Sequence, residues 1–586
     1  MQYQRPAPRL TALALSALTL SAFTFGPAGP AAAHGGSDPA PPSLEPVLAA
    51  TINTSAGGTG ARLLLGDVSG DGRLDIVTMQ PTYSADDRYI GRQVQALTAF
   101  DLSGGQLWQI GTPDPRVTNN GTDIPAEIYD IDGDGDNDVL AVMDSEFRIF
   151  EGSTGALTRA FPLPHPEAHD SIIIANLRGT DRPRDIVLKD RYNQLWALDS
   201  AGNTLWTHIG TTGHRPYPHD FTGDGRQEFL GGYDFLDPDG NLQWSADMAD
   251  HPDSIAVGDV DGDGREDIAF GGAGLGGDST NVYRSDGTLL WRNFDAVEAQ
   301  QIGFGDFRPD LPGLETVGLD RVDRTTATGK DSIYLVSSAG ETLWKETRTT
   351  LGCWGSVVEP LRNWDGRYSD LILTWNRGCG EIAGIFDGYG NRVATFPIDG
   401  RMVRGDLCGD DRYEVVDYVM GQTANVYGNG PCDLDAKVTG SPLPQAKIHY
   451  NYTRYTAEEI PGNHALDRRT RASSDQRHHG SSLGNDGDAR TSWTAGPRDR
   501  HPSWRVDLGA IRELTGVRVT FRQHKLRYKV ETSLDGRHWT VAVNRIARSS
   551  VDEQWFTGLA RYVRVSGTAA HGAQFGFAEF EVLGTR

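Results

Sequence analysis

A nine-residue acidic pattern, fullest in Asp130-Ile-Asp-Gly-Asp-Gly-Asp-Asn-Asp138 and Asp259-Val-Asp-Gly-Asp-Gly-Arg-Glu-Asp267, returns along the chain with its carboxylates at the same offsets. Further copies are Asp67-Val-Ser-Gly-Asp-Gly-Arg-Leu-Asp75 and Asp220-Phe-Thr-Gly-Asp-Gly-Arg-Gln-Glu228. Reduced copies begin at Asn176, Asp306, Asn363 and Asp406, making eight in all, 39 to 63 residues apart. Repetition at that period excludes most ordinary folds and requires a stack of similar units. A β-rich run follows each copy, and several units then carry a second signature, as in Leu198-Asp-Ser-Ala-Gly-Asn-Thr-Leu-Trp206 and Leu236-Asp-Pro-Asp-Gly-Asn-Leu-Gln-Trp244. Related runs end at Trp291 and Trp344. Two strands around an Asp-Gly or Ala-Gly turn account for that signature. Four strands per repeat is the content of a propeller blade, which cannot cover both its faces alone and stacks them on its neighbours. The expectation is an all-β chain with an eight-bladed propeller, or seven blades if the closing blade is shared, over residues 46–450. A β-solenoid is the rival, with repeats that are usually shorter and more regular.

The 586 residues include 71 glycines and 13 tryptophans, a composition suited to many short strands and tight turns. A formal charge of −24 argues against a nucleic-acid partner, because it leaves no basic face for phosphates. Residues 1–33 read as a secretory signal, with Arg5 and Arg9, an apolar run from Leu10 and a small-residue site at Ala31-Ala-Ala33. A flexible leader follows over 34–45, and no later stretch is long and apolar enough to span a bilayer. The expectation is a secreted, extracellular, monomeric protein without membrane partners. Export makes disulfides the default for Cys353, Cys379, Cys408 and Cys432, paired here as sequence neighbours.

The repeat stops near Pro442, and a polar linker is expected over 451–472. From Ser473 another pattern runs through Thr491-Ser-Trp493, Trp504-Arg-Val-Asp-Leu-Gly509, Tyr528-Lys-Val-Glu-Thr-Ser-Leu-Asp-Gly536, Arg561-Tyr-Val-Arg-Val565 and Phe577-Ala-Glu-Phe-Glu-Val-Leu583. That order resembles the discoidin or coagulation-factor type C domain, which overlaps the family 32 carbohydrate-binding modules. The resemblance implies a jelly-roll β-sandwich over 473–586 that binds carbohydrate. Trp504 and Phe521 alternate along strands and are expected in its core.

Carboxylates at positions 1, 3, 5 and 9 of a glycine-turned loop suit Ca²⁺, a hard cation that takes oxygen ligands. The candidate metal ligands are Asp130, Asp132, Asp134 and Asp138, then Asp259, Asp261, Asp263 and Asp267. Because the loop is repeated, its expected role is structural. The copies at Asn176 and Asn363 have lost acids and are expected to bind nothing.

Catalytic groups must come from residues that the repeat does not require. His169, His214 and His251 precede Asn176, Asp220 and Asp259 by seven, six and eight residues, and Gln300 precedes Asp306 by six. Their shared phase predicts that successive repeats bring them to one mouth. Lys189, Arg191 and Tyr192 lie one strand further along the repeat that follows His169.

The runs Glu167-Ala-His-Asp-Ser171, Leu188-Lys-Asp-Arg-Tyr192, Gly213-His-Arg-Pro-Tyr217, Asp250-His-Pro-Asp-Ser254, Phe307-Arg-Pro-Asp310 and Leu361-Arg-Asn-Trp-Asp365 resemble secreted propeller lyases of rhamnose-containing acidic glycans. These are the rhamnogalacturonan lyases of polysaccharide lyase family 11 and the rhamnosyl-glucuronate lyases of family 42, whose propellers carry repeats of the FG-GAP type. The fibronectin-like amino-terminal domain usual in family 11 is not evident, which tilts the comparison to family 42. The resemblance implies β-elimination beside a uronic acid, on L-rhamnosyl-α-1,4-D-glucuronate of the arabinogalactan type or on pectin, with Ca²⁺. Such a reaction needs a base for the C5 proton, an acid for the departing O4 and a neutraliser for the uronate carboxylate. The assignments that follow are His214 as base or acid with Tyr192 as partner, Lys189 and Arg191 as neutralisers, and His169 and His251 holding substrate or metal. Gln300, Arg308 and Arg321 are assigned to substrate binding. Two alternatives stand beside this one. A glycoside hydrolase would need a carboxylate pair, with Asp170 and Asp253 as candidates, and a calcium-dependent adhesion protein would need none of the phased histidines.

Overall fold

A computed structural model describes residues 44–434 and 457–585, apart from 85–90, 119–122, 181, 249–250, 264, 273–279, 324–327, 349–355, 366–369, 377–382, 398–399, 410–411, 460–461, 467, 487–489, 523–525, 548–550 and 569–573. The expected signal and leader at 1–43 and the cysteines Cys353 and Cys379 lie outside the described residues. Cys408 and Cys432 are joined in a disulfide, as the pairing of neighbours predicts. No helix among the described residues is long and apolar enough to cross a membrane.

The chain is all-β, and its repeats are antiparallel sheets of four strands. Among the described residues there are eight, the fifth carrying one strand more, and each opens with the strand that leads into an acidic loop. The opening strands are Arg62–Gly66, Ala126–Tyr129, Ser171–Ala175, Tyr217–His219, Pro252–Gly258, Ala299–Gly305, Ser356–Leu361 and Arg401–Gly405. The eighth sheet is completed from the other end of the chain, by Val47–Asn53 pairing antiparallel with Thr423–Gly428. Arg62–Gly66 in turn lies against Arg401–Gly405, so the first sheet neighbours the last. Opening strands of several consecutive sheets also lie against one another, as Ala299–Gly305 does with Ser356–Leu361.

Burial within each sheet is graded. Asp185–Lys189 and Asp267–Gly272, second strands of their sheets, are buried throughout, as expected where both faces are covered by neighbouring sheets. Outer strands such as Leu157–Pro162 and Thr204–Ile209 are mostly exposed. The tryptophan signature explains how the sheets are joined. Trp206 Nε1 donates to the Pro238 carbonyl at 3.1 Å, Trp244 to Ser285 at 2.9 Å, Trp291 to Ser338 at 2.9 Å and Trp344 to Gly388 at 2.9 Å. Each outer-strand indole thus reaches the hairpin of the following sheet. There it lies under that hairpin's glycine: a Cβ on Gly240, at φ +82°, would fall 2.7 Å from the Trp206 ring. The position therefore needs glycine for its backbone and for its neighbour alike.

The acidic loops are closed by their own carboxylates. Asp67 accepts hydrogen bonds from Gly70 N at 2.8 Å and Gly72 N at 2.9 Å, and Asp75 accepts from Val68 N at 3.0 Å and Ser69 N at 2.8 Å. The closing acid does the same in the reduced copies, at the ninth position or one residue later: Asp185 accepts from Leu177 N at 2.9 Å, Glu315 from Arg308 N at 2.8 Å and Glu414 from Leu407 N at 2.8 Å. Positions 1 and 9 persist because the turn needs acceptors for backbone N–H groups that would otherwise be buried without partners.

The C-terminal part is a second β structure, with a seven-stranded sheet containing Ser503–Thr520 and Val551–Thr568, and a two-stranded pairing of Trp493–Thr494 with Gly576–Phe577. Trp504 and Phe521 are buried in its core with Trp493, Phe577 and Phe580. The stretch expected as a linker carries three short strands. Gly462–Asn463 and Arg469–Ala472 join the seven-stranded sheet, and Ala457–Glu459 pairs in parallel with Ile255–Val257 of the fifth repeat sheet. Main-chain pairing, which a polar composition does not reveal, ties that segment to an opening strand.

Candidate functional site

Antiparallel pairing decides which residues meet. Ser171 pairs with Lys189, so residues just before an opening strand and just after a second strand share one end of their sheet, and the acidic loop occupies the other. His169, Asp170, Lys189, Arg191 and Tyr192 lie at this leading end of the third sheet. His214 precedes the fourth, His251 and Asp253 begin the fifth, and Gln300 begins the sixth.

One continuous set of contacts joins them. Asp170, with no exposed surface, accepts a hydrogen bond from Lys189 Nζ at 2.7 Å, and Nζ also donates to the Arg191 carbonyl at 2.9 Å. Arg191 Nη1 reaches Asp170 at 3.3 Å and donates to Asp123 Oδ2 at 2.9 Å. The same Asp123 oxygen lies 3.1 Å from His214 Nδ1. On the far side of that ring, His214 Nε2 is 3.4 Å from Asp253 Oδ1, and His251 Nε2 is 3.6 Å from the same oxygen. Gln300 donates to the other oxygen of Asp253 and, at 2.9 Å, to Glu298, which Arg321 approaches at 3.4 Å.

Tyr192 is half-buried and covers the middle of this set. Its ring centroid is 4.7 Å from that of His251 and 5.5 Å, edge-on, from that of His214, with the Arg191 guanidinium 4.9 Å away over its face. His214 is only 3% exposed, whereas the His251 side chain keeps 19%. Tyr192 and His251 are therefore the ring groups that an incoming molecule can touch, and His214 lies beneath them.

Burial pushes the His214 imidazole well below its ordinary range, against the opposing pull of Asp253. Burial would raise Asp253, but the pull of His214 and His251 outweighs it and brings that carboxyl to about 2. The pairing thus fixes Asp253 as a carboxylate and leaves His214 without the exposed nitrogen that a base for substrate requires.

The other sequence assignments separate. His169 lies next to Asp170, and its Nδ1, buried, has no hydrogen-bond partner among the described residues. A Cβ on Gly91 would come within 3.3 Å of that nitrogen, so the first sheet closes over it. Arg321 joins through Glu298. Arg308 does not reach this end: it follows the opposite end of Ala299–Gly305, on the order of 20 Å along the strand direction from Gln300. There it is bound to Asp310 by two bonds of 2.8 Å and lies over the Tyr389 ring at 4.2 Å. The resemblance suggested Arg308 by motif, and strand direction carries it away. Sequence reasoning missed Asp123 and Glu298. Asp123 lies 91 residues from His214 in a coil without a motif, and only the folded chain marks it. Asp170 and Asp253, considered as a hydrolase pair, are each engaged by cations or histidines.

Of the expected metal ligands, Asp130, Asp132 and Asp138 place one oxygen each within 4.8 Å of one another, as do Asp259, Asp261 and Asp263. Asp134 and Asp267 stand outside these sets. Asp134 accepts from Asp136 N at 2.9 Å, and Asp267 accepts from Val260 N at 3.1 Å. Burial, with Asp261 nearby, raises Asp267 to about 7, and burial raises Asp138 to about 6. One buried oxygen of Asp267 also has no partner among the described residues. Hard oxygen donors held against their own repulsion fit Ca²⁺. Arginine supplies part of the missing charge, since Arg182 pairs with Asp130 at 2.8 Å and Arg284 with Asp261 at 2.7 Å.

Comparison with known proteins adds the following. The F5/8 type C domain family matches residues 469–580. The rhamnogalacturonan endolyase YesW of Bacillus subtilis (strain 168) is 24% identical over 430 residues, 60% of this chain and 64% of its own length. The rhamnogalacturonan exolyase YesX of the same organism is 24% identical over 433 residues, 60% of this chain and 68% of its own. The chain thus spans about two thirds of the length of these relatives. The crystal structure of rhamnogalacturonan lyase YesW aligns at a TM-score of 0.48 and 18% identity, covering 71% of this chain and 81% of that one.

Proposed function

We propose that this chain is a polysaccharide lyase that cleaves beside a uronic acid by β-elimination, with its eight four-stranded sheets forming the blades of a propeller. The observation that carries the reading is Tyr192 and His251 lying at the surface of a buried set of charges, where a proton donor and acceptor can meet a sugar ring. The similarity to two rhamnogalacturonan lyases supports the same chemistry.

Elimination removes the proton on C5 and breaks the bond to the oxygen on C4, so one group must accept a proton and another give one. Tyr192 and His251 take these parts, being adjacent and accessible. Arg191, fixed over the tyrosine face and against Asp123 and Asp170, offers positive charge to the uronate carboxylate. Lys189 has no exposed surface and acts from below by holding Asp170 and Arg191. His214, assigned from sequence as base or acid, instead supports its neighbours. Gln300, Glu298 and Arg321 extend the site along the sixth sheet. A hydrolase is less well supported, because Asp170 and Asp253 are buried and bound.

The substrate class is a glycan containing rhamnose and a uronic acid. The relatives favour rhamnogalacturonan, while the rhamnosyl-α-1,4-glucuronate of arabinogalactan rests on the sequence resemblance. Ca²⁺ belongs to the acidic loops, held by Asp130, Asp132 and Asp138 and by Asp259, Asp261 and Asp263, where it neutralises repelling carboxylates. Export through the leader at 1–33 belongs to the same reading. The C-terminal module serves as a glycan tether: residues 473–586 hold 17 Lys and Arg against 12 Asp and Glu in a chain of charge −24. Arg500, Arg527 and Lys529 line one groove of that module, which suits an acidic polymer.

The test is the ultraviolet absorbance of a 4,5-unsaturated uronate on incubation with rhamnogalacturonan and, separately, gum arabic. Absorbance with the first alone selects pectin, and with the second alone selects rhamnosyl-glucuronate. Release of reducing sugar without absorbance replaces elimination by hydrolysis, and retention on glycan without either makes the chain a binding protein.

A further inference from the structure

We propose that His214, His251 and Asp253 form a centre for a first-row divalent transition-metal ion, separate from the acidic loops and chemically unlike them. Three donor atoms, one from each residue, lie within 4.8 Å of one another. Both Nε2 atoms face the same carboxylate oxygen, His214 at 3.4 Å and His251 at 3.6 Å. These separations exceed an ordinary N–H···O bond. They lie close to the spacing of about 3–3.5 Å between two ligands that share one ion at bond lengths of about 2.1 Å.

The surroundings point the same way. Asp123 Oδ2 is 3.1 Å from His214 Nδ1, so a ring that ligates through Nε2 would keep its Nδ1 proton on that carboxylate. Carboxylate, imidazole and metal in line is the arrangement by which proteins fix the tautomer and raise the basicity of a ligating histidine. Gln300 engages the other oxygen of Asp253, leaving Oδ1 directed at the histidines. Charge agrees as well. The buried carboxylates Asp123, Asp170, Asp253 and Glu298 gather round Lys189, Arg191 and Arg321, a concentration of negative charge that a divalent ion would reduce.

Ligand chemistry selects the ion. Two imidazoles with one carboxylate suit ions from Mn²⁺ to Zn²⁺, whereas Ca²⁺ prefers an all-oxygen shell such as the acidic loops supply. Three protein ligands leave positions open, and His251, partly exposed beside Tyr192, marks the open side. There the ion would take a substrate carboxylate oxygen and neutralise it, with His251 giving a proton from Nδ1 and Tyr192 accepting one, a role that rests on the lyase reading, whereas the site itself does not.

The experiment uses the full chain, stripped with chelator and titrated with Co²⁺. Visible d–d absorption that saturates at one equivalent, is displaced by Zn²⁺ and survives excess Ca²⁺ is expected. His251→Gln, a change at the more exposed ligand, should abolish the bands while retaining the melting temperature of the stripped protein, and Asp259→Asn in an acidic loop should keep them. Absence of the bands in the wild type, their persistence in H251Q, or their loss to Ca²⁺ overturns the proposal. Bands that behave as expected in a protein that gives no unsaturated product on any glycan leave the metal centre standing and remove the lyase reading.

Discussion

The two ends of the repeat sheets use the same acid in opposite ways. At the loop end, Asp67 and Asp75 are satisfied by backbone N–H groups within their own turn, and the arrangement recurs from sheet to sheet. At the leading end, Asp123 and Asp253 meet side chains from other sheets and Asp170 meets Lys189 and Arg191 of its own, and no such pairing recurs from sheet to sheet. The difference teaches that repetition marks what every sheet needs to close its turn. Function collects where the repeat is broken.

The sharpest way to break this comparison is at Tyr192. Tyr192→Phe should lower turnover of the cleaved glycan by about 100- to 10,000-fold with the melting temperature unchanged. Activity within a factor of two of wild type would return the proton-transfer role to other groups. Next in size is Asp123→Ala, which removes one carboxylate from between Arg191 and His214. It should cost about 3–5 kcal/mol in urea unfolding and abolish activity as well, because it breaks a buried charged set. A loss of activity without loss of stability would mean that Asp123 acts on the reaction alone. At the loop end, Asp75→Ala should cost about 1–3 kcal/mol by leaving the Val68 and Ser69 N–H groups unpaired, with kcat preserved.

The smallest effect concerns pH. Burial raises Asp75 and Asp138 to about 6 and Asp267 and Glu315 to about 7, above the values of an unfolded chain. The folded state therefore holds these protons more tightly, and stability from these groups is greatest below the unfolded values and falls as pH rises toward 7. In chelator, the melting temperature should drop by about 2–4 °C for each kcal/mol so lost between pH 5 and 8, and Ca²⁺ should remove the drop. A melting temperature indifferent to Ca²⁺ at pH 8 would assign the charge balance of the loops to Arg182 and Arg284 instead.

Sequence by itself determined the all-β class and the eight copies of the loop, because turn closure is local: an Asp and the N–H groups it accepts lie within nine residues. It also placed His169, His214, His251 and Gln300 at one phase, since a repeat translates position along the chain into position in a sheet. The tryptophan signature was legible as a pattern, but not its purpose, since Trp206 acts on the hairpin around Gly240 in another sheet. Only the tertiary structure decided what each polar group faces. It put His214 beneath Tyr192, carried Arg308 to the wrong end of its strand, and brought Asp123 across 91 residues to the ring of His214. Such pairings depend on which sheets are neighbours and how deeply a side chain is covered, and neither leaves a periodic trace in the order of residues.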